Sequence, residues 1–504
     1  MQSYSVEHFG CRAARADGEA VSGRLHAAGL CEGEPSAADV VVVNTCSVTA
    51  EADRAARAFI RRAHRLNPAA KIVVTGCYAQ RAPEELAGMK GVAAVVGNSH
   101  KALAPEIILG LLGRAALHEG NGLIQLQTAT RPERAMSEQL APVQMVWADD
   151  KFAHSFIETA QVVPGLQTRP NLKIQEGCGN RCAFCVIPST RGPSKSLPHA
   201  VVLRQVEGFV VAGGNELVFS GINLGRWGRD LPGSGEAFPW TLAGLVRQIF
   251  EQTALNRLRL SSIEPMDWDA ELIGLMAEFG GKRLARHAHL PLQSGSDAVL
   301  RRMHRRYRPW HYVQKVKALV QAGGAELTLG ADVMVGFPGE TDSEFEETMA
   351  LVRALPFGYL HLFPFSPRPA TIGWALDAER PVPAKAVEER MAALRALAAE
   401  KSHAHRRSFV GRELEAITLH TPVEMAARGR SAALTENFLP VEVEGRLEAN
   451  RLTRVRVTGL NAEGTLEAAL AETAQAQYAA TAISVSAKSV PMKSNSSPVS
   501  LARA

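Results

Sequence analysis

The chain has 504 residues, 46% hydrophobic and 21% charged, with a formal net charge of +5. This length suggests roughly three domains, and the balance is that of a globular protein rather than a disordered one. No stretch approaches the ~20 uninterrupted apolar residues that span a bilayer. The start, MQSYSVEHFGCRAARADG, has no basic segment followed by an apolar run, so no secretory signal is read there and the expected location is the cytoplasm. The mild positive charge permits a nucleic-acid partner without requiring one.

Residues 1–115 alternate strands with helices and read as a small parallel-sheet α/β domain. The runs Asp39–Asn44 and Lys71–Thr75 are continuous apolar strands, with a third around Ser5–Phe9. Val48–Leu66 between them reads as a helix that Pro68 stops. Residues 116–165 carry little periodicity and read as a linker. The α/β rhythm resumes over 166–400, with strands at Leu172–Gln175, Glu216–Ser220, Arg257–Ser262, Arg286–Leu290, Leu327–Val333 and Tyr359–Phe363. Six βα units without a clear seventh and eighth predict a partial TIM-like barrel. A helix over 383–408 ends in a basic run, Lys401 to Arg407. Short alternating strands then predict a small β-barrel over 401–475 (Glu413–Leu419, Leu439–Val443, Thr453–Thr458). Residues 476–504, rich in Ala and Ser, read as a disordered tail.

Seven cysteines stand at 11, 31, 46, 77, 178, 182 and 185. Cytoplasmic thiols are kept reduced, so clustered cysteines point to metal or catalysis. Cys178, Cys182 and Cys185 have the spacing C-x3-C-x2-C just after a strand. Three thiolates hold three irons of a 4Fe–4S cluster and leave the fourth iron open. Structural zinc would want four ligands, and no further Cys or His follows in Val186–Lys195. Cys11, Cys46 and Cys77 each follow a strand candidate. Ligands gather at the carboxyl ends of parallel strands, so these three are candidates to converge as a second triad. Spacing alone is equally compatible with three buried core cysteines.

The motifs NTCSVTAEADR (44–54), TGCYAQ (75–80), QEGCGNRCAFCVIPSTRG (175–192), SGINLGRWGRDL (220–231), LSSIEP (260–265), LPLQSGSDAVLRRMHRRY (290–307) and ADVMVGFPGETDSEFEET (331–348) resemble the radical-SAM methylthiotransferase family over about residues 1–470. The resemblance implies a methylthiotransferase N-terminal domain, a radical-SAM domain and a TRAM-like RNA-binding barrel. It implies two 4Fe–4S clusters, one held by Cys178, Cys182 and Cys185 with S-adenosylmethionine on its open iron, and an auxiliary one held by Cys11, Cys46 and Cys77. It places Phe184 near the adenine. Gly213, Gly214 and Glu216 would meet the methionine end of the cofactor, with a plain turn as the alternative. Ser262, Glu264 and Gln293, after strands of the barrel, would also face the cofactor. Cys31 matches no ligand of the family. After Cys11 the chain departs from the family, with Arg-Ala-Ala-Arg-Ala-Asp where a Lys/Arg-x-Asn-Gln type run is more usual.

Arg301, Arg302, Arg305, Arg306 and Arg308 form a basic run expected to meet tRNA phosphates, because arginine matches phosphate bidentately. Asp332 reads as structural, and His287, His289 and His361 as ordinary histidines rather than metal ligands. The family has three substrate classes: isopentenyladenosine in tRNA, threonylcarbamoyladenosine in tRNA, and an aspartate of a ribosomal protein. The ADR segment, the basic helix and the TGCYAQ end most resemble the threonylcarbamoyladenosine branch. Expected partners are tRNA, a reductant such as flavodoxin or ferredoxin, and a sulfur donor. The alternative of a different class is a non-catalytic iron–sulfur protein that binds RNA or senses redox state.

Overall fold

The computed structural model describes residues 2–114, 145–156, 162, 168–232 and 240–471. It divides into two compact units, Met1–His405 and Arg406–Ala504. The expected tail lies outside the described residues, as does most of the expected linker.

The first unit opens with a parallel sheet. Its strand order is Cys31–Glu32, Ser3–His8, Val40–Thr45, Lys71–Gly76, Val92–Gly97 and Met145–Trp147. Val40 to Val43 are all fully buried, because the sheet is covered on both faces. Alternate side chains feed separate cores. Val41 and Val43 pack with Ala56, Phe59 and Ile60 of the helix Ala50–Leu66, while Val40 and Val42 pack with Val21, Leu25 and Ile108. The Thr49 hydroxyl caps Ala50–Leu66 by accepting the Ala52 N–H at 3.2 Å. The short Cys31–Glu32 strand, Val92–Gly97 and Met145–Trp147 were not expected. The last falls in the segment read as linker, where three residues are too few to carry a periodic signal.

Still within the first unit, six parallel strands follow: Asn171–Glu176, Glu216–Gly221, Arg257–Leu260, His287–His289, Thr328–Val335 and Phe357–Pro364. A parallel bridge between Leu258 and Leu284 links the two halves of this arc. This is the expected partial barrel, with one large core behind it.

The second unit is a closed five-stranded barrel, in the order Glu413–Thr418, Arg430–Thr435, Pro440–Glu444, Leu466–Leu470, Leu452–Leu460. Three of these strands were legible in the sequence. Along Leu452–Leu460, Val455 and Val457 are buried while Arg454 and Arg456 are exposed, the period-two pattern of a half-buried strand. Among the described residues, no helix is long and apolar enough to cross a membrane.

Candidate metal centre

The loop of the first triad follows the strand Asn171–Glu176. The Cys178 N–H donates to Gly192 O at 3.1 Å and the Cys185 N–H to Cys182 O at 3.1 Å, which folds the loop back on itself. The Ala183 N–H donates to Met303 O at 3.0 Å, anchoring the loop beside the arginine run. Burial and the neighbouring Cys182 and Cys178 push the Cys185 thiol up to about 12, and burial raises Cys178. Phe184 is half-buried and meets Phe337 edge-on, with ring centroids 6.5 Å apart.

Cys46 and Cys77 are buried at the carboxyl ends of Val40–Thr45 and Lys71–Gly76, and Cys11 is the exposed residue before the helix Arg12–Ala27. Gly10 lies directly against Cys46. A Cβ there would sit 2.6 Å from the Cys46 Cβ, and φ is +119°, so only glycine permits this approach. Burial, then Cys77 and Cys11, push the Cys46 thiol up to about 12. Three thiols close enough to repel one another's ionisation are the donor set an iron–sulfur cluster needs. Both triads therefore fit the groups that the sequence motifs imply. Cys31 stands apart, exposed in its own short strand.

Of the other expected residues, Glu264 is tied to the first triad through Arg305, and Gly213, Gly214 and Glu216 lie elsewhere. Glu264 is half-buried, and Arg305 Nη2 lies 2.8 Å from both its oxygens. Ser262 is half-buried in the same segment after Arg257–Leu260. Gln293, at φ +63°, is buried, and its Oε1 has no hydrogen-bond partner. Gly213, Gly214 and Glu216 are not at the site. They lie at the amino end of Glu216–Gly221, whereas Cys178 follows the carboxyl end of the parallel strand beside it. The two glycines turn the chain out of the helix His199–Val211, with Gly214 packed on the Phe209 ring. Glu216 is fully buried against Arg259 at 2.8 Å, Arg169 at 3.2 Å and Arg257 at 3.3 Å. Those arginines outweigh burial and bring its carboxyl down to about 2. A cation cage of that kind is structural.

The arginine run also splits. Arg305 is buried rather than presented to a polyanion: its Nη1 donates to the Cys182 Sγ at 3.2 Å, its Nη2 holds Glu264, and its Nε donates to the Tyr307 hydroxyl. Arg302 makes a two-pronged pair with Glu344, both contacts at 2.8 Å. Arg308 donates to the carbonyls of Arg305 and Tyr307 and pairs with Asp297 at 3.2 Å. Only Arg301 and Arg306 are substantially exposed, at 61% and 45% of their side chains. A run of like charges gives no warning of this, because burial and partners, not charge, separate the five arginines.

Asp332 accepts from His289 Nε2 at 3.1 Å and His361 Nδ1 at 3.2 Å, and the Tyr359 hydroxyl bonds both His287 and His289. The three candidate ligand atoms of His289, Asp332 and His361 lie within 4.8 Å of one another. Asp332 and the Tyr359 hydroxyl thus tie the three histidines into one hydrogen-bonded cluster.

Sequence reasoning missed Asn223, whose Nδ2 lies 3.6 Å from the Cys178 Sγ, and Arg191, whose Nε lies 3.2 Å from the Cys77 Sγ. It also missed Arg368, which pairs with Asp53 at 3.0 Å across 315 residues of chain. Arg191 stands in the STRG end of a motif already noticed. Asn223 likewise stands in the SGINLGRWGRDL motif, whereas nothing in the sequence marks Arg368.

Residues 3–97 match the family described as Uncharacterized protein family UPF0004, and residues 172–352 match the Radical SAM superfamily. Three curated relatives span nearly the whole chain. The threonylcarbamoyladenosine tRNA methylthiotransferase MtaB of Aquifex aeolicus is 33% identical over 83% of this chain and 91% of its own. The MtaB of Treponema pallidum is 34% identical over 91% and 98%. The tRNA-2-methylthio-N(6)-dimethylallyladenosine synthase of a Parafrankia species is 32% identical over 92% and 85%. The family uses a 4Fe–4S cluster with S-adenosylmethionine and carries a second cluster. Two converged cysteine triads, two matched domains and relatives of this coverage lead to one conclusion: the chain belongs to the radical-SAM methylthiotransferase family and is a transferase.

Proposed function

We propose that this enzyme adds a 2-methylthio group to N6-threonylcarbamoyladenosine at position 37 of tRNA, in the cytoplasm, drawing electrons from a flavodoxin or ferredoxin and sulfur from a separate donor. The observation that carries the reading is the pair of cysteine triads in one unit, one on a loop of a partial barrel and one at the strand ends of a parallel sheet. Dimethylallyladenosine and threonylcarbamoyladenosine enzymes match at nearly equal identity, so the branch rests on the NTCSVTAEADR and TGCYAQ segments and on the MtaB relatives.

Cys178, Cys182 and Cys185 would hold the cluster that binds S-adenosylmethionine, and Cys11, Cys46 and Cys77 the auxiliary cluster. When bound, these groups supply the C–H activation and sulfur transfer that no acid–base pair can perform. The protein orients and encloses them. Arg305 sets a positive charge at Cys182 and fixes Glu264 beside it, where a carboxylate can accept from ribose hydroxyls. The half-buried Phe184 gives a flat apolar surface next to the same loop. Arg301 and Arg306, with the exposed Arg446, Arg451, Arg454 and Arg456 of the second unit, would meet tRNA phosphates. Reading a base at position 37 then requires an extruded, unstacked nucleotide. The test is mass spectrometry of tRNA nucleosides from a deletion strain, with and without the gene restored. Loss of the methylthio group from threonylcarbamoyladenosine is expected; loss from isopentenyladenosine instead would move the enzyme to the other tRNA branch.

A further inference from the structure

Five charged side chains are buried between the helix that begins after Cys11 and the strand that leads to Cys178. Lys101 Nζ lies 2.5 Å from Glu176 Oε2 and 3.1 Å from Asp17 Oδ2. Arg191 Nη1 lies 2.7 Å from Glu176 Oε1 and 3.0 Å from Asp17 Oδ2. Lys173 pairs with both carboxylates. Two carboxylates thus face three cations, Lys101, Lys173 and Arg191. A surplus positive charge in a dry site is strongly destabilising unless an anion meets it.

The acceptor within reach is the Cys77 sulfur. Arg191 Nε donates to Cys77 Sγ at 3.2 Å, and Asn98 Nδ2 donates to the same atom at 3.4 Å. Arg191 is fully buried, and its Nη2 has no hydrogen-bond partner. Arg191 ends the short helix that follows Cys185, so it comes from the segment that carries the other triad. The next residue, Gly192, accepts from the Cys178 N–H at 3.1 Å. Its φ is +73°, and a Cβ would fall 2.6 Å from the Phe152 ring, so glycine alone fits. One dipeptide therefore touches a ligand cysteine of each triad.

We propose that Arg191 is a positioning residue for the auxiliary cluster: its guanidinium neutralises and hydrogen-bonds the Cys77 thiolate, favours the more negative reduced state, and through Gly192 fixes the two cluster sites relative to each other. The inference rests on the two-cluster reading above. Positive charge and hydrogen bonds at cluster sulfurs raise the reduction potential.

The test is a mediated redox titration followed by electron paramagnetic resonance. It uses full-length protein carrying Cys178→Ala, Cys182→Ala and Cys185→Ala, so that only the auxiliary cluster remains. Adding Arg191→Gln should lower the reduced-to-oxidised ratio at fixed potential about tenfold, which is about 59 mV for a one-electron couple. Arg191→Lys should shift it less, because the charge stays while the fork that spans sulfur and carboxylates is lost. Should Arg191→Gln fail to hold iron, Asn98→Ala removes the weaker donor to the same sulfur and should shift the potential in the same direction by less. An unchanged potential in a loaded Arg191→Gln protein, or in a loaded Asn98→Ala protein where the first does not load, overturns the proposal. A background protein that folds but holds no cluster overturns the two-cluster reading instead.

Discussion

The two triads are built in opposite ways. Cys178, Cys182 and Cys185 sit on one loop whose own backbone hydrogen bonds bring them together. Cys11, Cys46 and Cys77 come from three separate segments, each following a different strand of the sheet, and converge only once the sheet has formed. A local site is therefore legible as a spacing and tolerates damage elsewhere. A distributed site depends on every core that supports its strands, here the two apolar layers around Val40–Val43.

The largest effects should separate the two directly. Anaerobically reconstituted protein should hold about eight irons, from two four-iron clusters. Replacing Cys178, Cys182 and Cys185 by Ala should leave about four and abolish cleavage of S-adenosylmethionine. Replacing Cys46 and Cys77 should instead preserve 5′-deoxyadenosine formation while eliminating methylthiolated product. Loss of both activities from a folded Cys46→Ala/Cys77→Ala protein would refute the division of roles.

Arg305 tests how far the local site reaches. Arg305→Ala strands Glu264 and removes the donor to Cys182, a loss of about 3–5 kcal/mol for one partner of a buried pair. Cleavage without RNA should fall with it. Arg301→Ala, at a side chain 61% exposed, should change stability by no more than about 0.5 kcal/mol. Equal denaturant midpoints for the two variants would contradict the buried geometry.

The distributed site should show a steeper acid limb. Asp17 and Glu176 titrate below their ordinary values near 3.8 and 4.5 when folded. Their contribution is thus complete above the unfolded values and disappears as pH falls through and below them. Asp17→Asn should be less stable at neutral pH by about 3 kcal/mol or more, yet lose less on acidification from pH 6 to 3. Melting temperatures across that range in both proteins decide it; parallel curves would remove Asp17 from the account.

The smallest effect concerns RNA. Arg301→Ala with Arg306→Ala should weaken binding of modified and unmodified tRNA alike and flatten the salt slope by up to about two contacts' worth. Loss confined to the threonylcarbamoylated tRNA would instead place one of these arginines on the threonyl carboxylate.

Much of this was readable in the sequence, and the boundary has a physical cause. Strands buried on both faces, such as Val40–Thr45, announce themselves as apolar runs, and the six barrel strands fell within a few residues of their expected places. The cysteines could be read because their chemistry restricts residue type. Glu216 misled because strand direction, not composition, decides which end faces the cofactor. Arg305 misled because five arginines in eight positions look alike until a turn buries one of them. Arg191 and Asp17 were invisible as partners, since 174 residues separate them.

That separation also gives the protein a history. Cys77 leaves the ribosome 114 residues ahead of Arg191, an interval of about 6–23 s at roughly 5–20 residues per second. Throughout that time the segment with its three thiols exists without its guanidinium, and for most of it Asp17 lacks Lys173 as well. The nascent N-terminal segment is thus an incomplete metal site by construction, and iron delivered to it early meets a different electrostatic environment from iron delivered to the finished chain.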